Sequence, residues 1–99
     1  MAGTKRGWTF LTNHGHVFIA VNAAPDALMK DIAKEVGITE RAAQMILSDL
    51  VTDGYIEVTR VGRRNHYKVN PEMYFRHPNE ATQQVGMLLD IFSGAEVEA

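Results

Sequence analysis

The sequence predicts an α+β fold, mostly helical, with three helices around one core, a β-hairpin and a further C-terminal helix. Three observations carry the prediction. The first is a pair of amphipathic stretches separated by a glycine. In LMKDIAKEVG, Ile32, Ala33 and Val36 recur at helical spacing, and Gly37 supplies the positive-φ residue that ends a helix. In ITERAAQMILSDLVTDG, Thr39 stands where a second helix needs its N-cap, Ala42, Ala43, Ile46, Leu47 and Leu50 form the buried face, and Gly54 closes it. The second is a switch toward a period of two in Tyr55, Ile56 and Val58, and again in Tyr67 and Val69. The third is the tip between those strands, VGRRN, where a glycine permits the turn and the arginines have no core role. Two helices, a tight turn and a following hairpin make a winged helix-turn-helix.

The remaining elements follow in chain order. Residues 1–7 are small and basic and read as a flexible arm. Trp8, Phe10 and Leu11 open the folded part, which extends to residue 78. Asn13 is placed to cap a helix over about His14–Ala23, which Pro25 and Asp26 end. Leu28 and Met29 read either as a short strand beside the wing or as the start of the next helix. Pro71 stops the second wing strand, and MYFRHP (73–78) reads as an extended connector with two aromatics to bury. Trp8, Phe10, Tyr74 and Phe75 are expected in the core rather than around an effector. Residues 79–93 hold a last helix, expected over Glu80–Phe92, and residues 94–99 an acidic, disordered tail.

Ninety-nine residues make one domain, with room for a modest core and no second catalytic lobe. No apolar run approaches the roughly 20 residues of a membrane span, and no signal-peptide pattern opens the chain. The absence of cysteine rules out disulfides and thiolate metal sites and accords with a cytoplasmic location. The net charge of −2 is unusual for a phosphate binder, but its distribution is polar. From Gly54 to Asn70, Arg60, Arg63, Arg64 and Lys68 face Glu57 alone. From Asn79 onward there are four acids and no Lys or Arg.

If Ala43, Ile46, Leu47 and Leu50 point inward, the second helix of the motif presents Thr39, Glu40, Arg41, Gln44, Met45 and Ser48 outward. Arg41 suits a guanine edge and Gln44 an adenine edge, while Ser48 reaches a base or a phosphate. A plain solvated helix carries the same residue types, and Glu40, Asp49 and Asp53 make this one electrostatically weak. On the wing, Arg60, Arg63, Arg64, Asn65, His66 and Lys68 are expected to grip phosphates or enter the minor groove. Charges on an exposed hairpin also serve to prevent edge-to-edge aggregation.

The last helix is apolar on more than one side. Val85, Leu88, Leu89 and Phe92 recur at i, i+3, i+4 and i+7, enough to dock on the domain's own core. Met87 and Ile91 extend the apolar surface to a neighbouring face, so the helix has room for two partners. Val85, Leu88, Leu89, Ile91 and Phe92 are therefore expected to build a homodimer, unless the 73–78 connector covers the extra face. His14 and His16, two apart, point away from each other on a helix. With no HExxH, CxxC, P-loop, GxGxxG or nucleophile–base pattern, the expectation is no metal, no cofactor and no enzyme.

The segment IAKEVGITERAAQMILSDLVTDGYIEVTRVGRRNHYKVNP, Ile32–Pro71, resembles the winged helix-turn-helix regulators of the MarR and ArsR type. WTFLTNHGHV at the start, ITERA and GRRNHY in the middle, and RHP with VGMLL near the end further resemble small stand-alone MarR-like bacterial regulators. The resemblance implies dimeric binding of double-stranded DNA through the helix beginning at Thr39 and the wing at Arg63 and Arg64. The chain lacks the long flanking dimerisation helices of larger MarR proteins and the cysteines of metal-sensing ArsR proteins, which leaves any effector open. The expected function is a sequence-specific transcriptional regulator. The alternative is a winged-helix protein-interaction module that does not bind DNA.

Overall fold

A computed structural model describes residues 7–93. The expected N-terminal arm, save Gly7, and the acidic tail lie outside the described residues. Within them the order is α1 (Asn13–Ala23), α2 (Met29–Val36), α3 (Glu40–Thr52), β1 (Ile56–Val61), β2 (Arg64–Val69) and α4 (Gly86–Ser93). The domain is α+β, with four helices and one antiparallel hairpin among the described residues, an arrangement consistent with a winged helix.

α1 is the centre of the fold. It packs against α2, α3, β2 and α4, so Val17, Phe18 and Val21 are buried on different sides of it. Its cap is Thr12, whose hydroxyl accepts from the Gly15 amide at 3.4 Å. Asn13, expected to cap the helix, is instead its first residue. α2 buries Met29, Ile32 and Ala33 and turns its Lys and Glu residues outward. Leu28 is the extended residue before α2 and Met29 opens it, which settles the strand-or-helix question in favour of helix. All that joins this region to the wing as a strand would is one bond, from the Tyr67 amide to the Pro25 carbonyl at 2.9 Å.

The turn into α3 forms as the sequence requires. Gly37 takes φ 91°, and the amides of Gly37 and Ile38 both reach the Ala33 carbonyl, satisfying the open end of α2. Thr39 Oγ1 then accepts from the Ala42 amide at 3.0 Å. α3 buries Ala43, Ile46 and Leu47. Gly54 at φ 92° lets the Tyr55 amide return to the Leu50 carbonyl, and the chain enters β1 directly. The hairpin register pairs Ile56 with Val69 and Val61 with Arg64, leaving Gly62 and Arg63 as a two-residue turn. Ile56 and Tyr67 are its buried residues.

The C-terminal helix starts six residues later than expected. Residues 83–86 are held by backbone bonds to residues 71–75, with Tyr74 and Gln84 paired as an antiparallel bridge. Phe75 donates its amide to Gln83 O, Val85 to Met73 O and Gly86 to Pro71 O, at 2.8–3.1 Å. Backbone groups committed to that ladder are not available for helical bonds. A side chain at Gly86 would meet the Pro71 carbonyl oxygen at 2.9 Å, so the crossing needs a glycine.

Val85 and Leu89 belong to the same core as α1–α3 and are almost fully enclosed. This corrects their expected place in a dimer surface, because the chain's own core already covers them. Leu88 is half-buried, whereas Ile91 and Phe92 stand in solvent. Trp8 and Phe10 also depart from expectation. They are 77% and 92% exposed and meet only edge to face, with ring centroids 5.1 Å apart. Tyr74 is exposed as well, and only Phe75 of the four aromatics packs against the core.

Candidate nucleic-acid interface

α3 and the hairpin lean toward each other across a cleft of about 340 Å³. Its walls are the start of α2, the N-terminal half of α3 and the hairpin. Glu40 and Gln44 line it from α3, and Arg63, Arg64 and Asn65 from the tip, with Val58 and Tyr67 beneath. The helix geometry accounts for the rest of α3. Glu40 and Gln44 share one stripe at i and i+4, facing the wing. Arg41, Met45 and Ser48 share the adjacent stripe at i, i+4 and i+7 and face solvent. All six positions from Thr39 to Ser48 singled out in the sequence are exposed, and Met45 keeps 61% of its surface open.

Five of the six wing residues divide between the two faces of the hairpin, and Arg63 lies in the turn. Directly paired residues share a face, so Arg60 and Asn65 lie on the same side as Tyr67, toward α3. Arg64, His66 and Lys68 lie on the other. Of these only Arg64 borders the α3 cleft as well. His66 and Lys68 instead line a second, more open cleft with Asn22, Gln84 and Asp90, away from the helix.

Two contacts at the wing were not legible beforehand. Arg64 donates to the Asp26 carbonyl at 2.7 Å, and His66 Nδ1 donates to the Asp26 carboxylate at 2.6 Å. Lys30 is the residue that sequence reasoning missed. Its position as the second residue of α2 puts it on the cleft rim beside Gln44 and Arg63, a cation near a helix N-terminus. The signal was its place just after the turn, on the polar face of an amphipathic helix.

Compared with family models and with curated proteins, the chain finds no match.

Elsewhere on the surface, His14 donates to Asp49 at 2.9 Å and Arg76 to Asp53 at 2.7 Å. These pairs engage Asp49 and Asp53, the two acids at the C-terminal end of α3, and leave Glu40 at its start. His14, His16, His66 and His77 do not gather, and among the described residues no group of three or more His, Asp or Glu could hold a metal. Among the described residues no helix is long and apolar enough to cross a membrane.

Proposed function

We propose that this protein is a winged helix-turn-helix regulator of the MarR/ArsR type that binds double-stranded DNA sequence-specifically as a homodimer. The observation that carries the reading is the convergence of Gln44 and Lys30 with the tip residues Arg63 and Asn65 around one cleft. Beside it stands the open Arg41–Met45–Ser48 stripe. Side chains of these types at the start of an exposed helix suit base edges: Arg41 to guanine, Gln44 to adenine, and the Met45 methyl to thymine. Lys30, Arg60 and Arg63 suit the flanking phosphates, which fix register without reading sequence.

The test is fluorescence anisotropy with mixed duplex DNA at two salt concentrations, wild type beside Arg63→Ala/Arg64→Ala. Binding is expected to weaken steeply with salt and to fall at least about tenfold in the double variant. Absence of binding even at low salt would overturn the reading and favour a winged-helix module that recognises protein.

The dimer reading rests on the unpartnered apolar groups at both ends of the described chain. On α4 these are Met87, Ile91 and Phe92, and before α1 they are Trp8 and Phe10. Phe10 and Leu88 border one cleft of about 450 Å³, which brings the two regions together. Sedimentation equilibrium is expected to give twice the 11.0 kDa chain mass, and an Ile91→Asp/Phe92→Asp variant the single mass. A monomeric wild type at micromolar concentration would refute a stable dimer.

A further inference from the structure

We propose that Asp26 anchors the pose of the wing and that Arg64 is a positioning residue acting through it. Arg63 is then the one residue of the tip pair that meets phosphate. The part about phosphate rests on the DNA reading above; the anchor does not.

Three bonds join β2 to two consecutive residues of the loop between α1 and α2. Arg64 donates to Asp26 O at 2.7 Å, His66 to the Asp26 carboxylate at 2.6 Å, and the Tyr67 amide to Pro25 O at 2.9 Å. The partners are about 40 positions apart in sequence, so the contacts tie two distant parts of the chain. The hairpin needs such a tie. It is a two-stranded ribbon, marginal on its own, and its register leaves everything from Glu57 to Asn65 exposed. Ile56 and Tyr67 are its buried residues, Val69 packs partly buried against the same core, and all three lie near its base. The outer half is therefore held by the loop rather than by packing.

The anchor also explains an acid in an unfavourable place. A carboxylate beside the basic tip repels phosphate and would weaken a DNA surface unless it does something else there. Arg63 contrasts with its neighbour. It occupies the turn itself, is exposed, and has no hydrogen-bond or ion-pair partner among the described residues.

Opposite signs separate the alternatives. If Asp26 contributes only its charge, Asp26→Ala tightens DNA binding. As an anchor through its carboxylate, which holds His66 while Arg64 uses the backbone carbonyl that alanine keeps, its loss weakens binding by about five- to tenfold. Arg64→Ala is expected to weaken binding by a similar factor and leave the log–log salt slope unchanged. Arg63→Ala is expected to reduce that slope by about one.

A measurement without DNA tests the anchor directly. Hydrogen exchange at the Tyr67 amide is expected to rise by about tenfold in Asp26→Ala and Arg64→Ala, but not in Arg63→Ala. Amides in the middle of α3 should keep their wild-type rates, which excludes general loosening. Unchanged Tyr67 exchange, tighter DNA binding by Asp26→Ala, or an equal slope loss in Arg64→Ala and Arg63→Ala would each overturn the proposal. If the wild type binds no DNA while Tyr67 exchange responds as described, the anchor stands and the nucleic-acid reading falls.

Discussion

An Ile56→Ala variant is expected to lose about 3 kcal/mol of folding stability, with a fall in melting temperature on the order of 15 °C. Ile56 is only 1% exposed and is the largest of the fully enclosed side chains. It is the first residue of β1, pairs with Val69 across the hairpin, and lies in the cluster that α1, α3 and α4 complete. Truncation removes three carbons from a site bounded by several elements, so no single neighbour can move in to fill the space. Chemical denaturation followed by circular dichroism measures the effect. A loss below about 1 kcal/mol would mean that the hairpin base is not part of the cooperative core.

The second large effect concerns recognition. Arg41→Ala/Gln44→Ala is expected to reduce preference for a selected duplex over mixed DNA by about 100-fold, while affinity for mixed DNA falls much less. Both side chains sit on the first two turns of α3, on adjacent stripes, and neither carries the fold. Selection from random duplexes supplies the preferred site, and competition binding gives the ratio. An unchanged ratio would remove α3 from the readout and shift specificity to the wing or to DNA shape.

The elements read well from sequence are those whose signals are local. α2 and α3 announce themselves through apolar spacing, Gly37, Thr39 and Gly54, all of which act within one or two turns of where they stand. The hairpin follows from its alternation and from Gly62, at φ 64° in the turn. The outward stripe of α3 was legible for the same reason: once Ala43, Ile46 and Leu47 are inside, the helix period dictates the rest.

What was not legible depends on partners distant in sequence. Residues 80–85 carry nothing that forbids a helix, and only the capture of 83–86 by 71–75 keeps α4 from starting sooner. Val85 and Leu89 have the same spacing whether they face this chain's core or another copy's. Trp8 and Phe10 are aromatic in either setting, and composition does not say that the folded core closes without them. Arg64 looks like Arg63 until Asp26 is brought beside it. The one-residue shift of the α1 cap is a smaller matter, since Thr12 and Asn13 are both good caps and neighbours.

The pairing of the connector with residues 83–86 has a consequence for how this chain can vary. Phe75 and Gln83 are bonded to each other, so residues 76–82 form a loop whose two ends are pinned by backbone. Closing a flexible loop costs free energy only as the logarithm of its length, about 0.6 kcal/mol for each doubling. Several residues could be inserted near Pro78 and Asn79, both exposed, with little effect on the elements on either side. The fold thus contains a place where length is almost unconstrained, set between a segment that must end in an open crossing at Gly86 and one that must reach it.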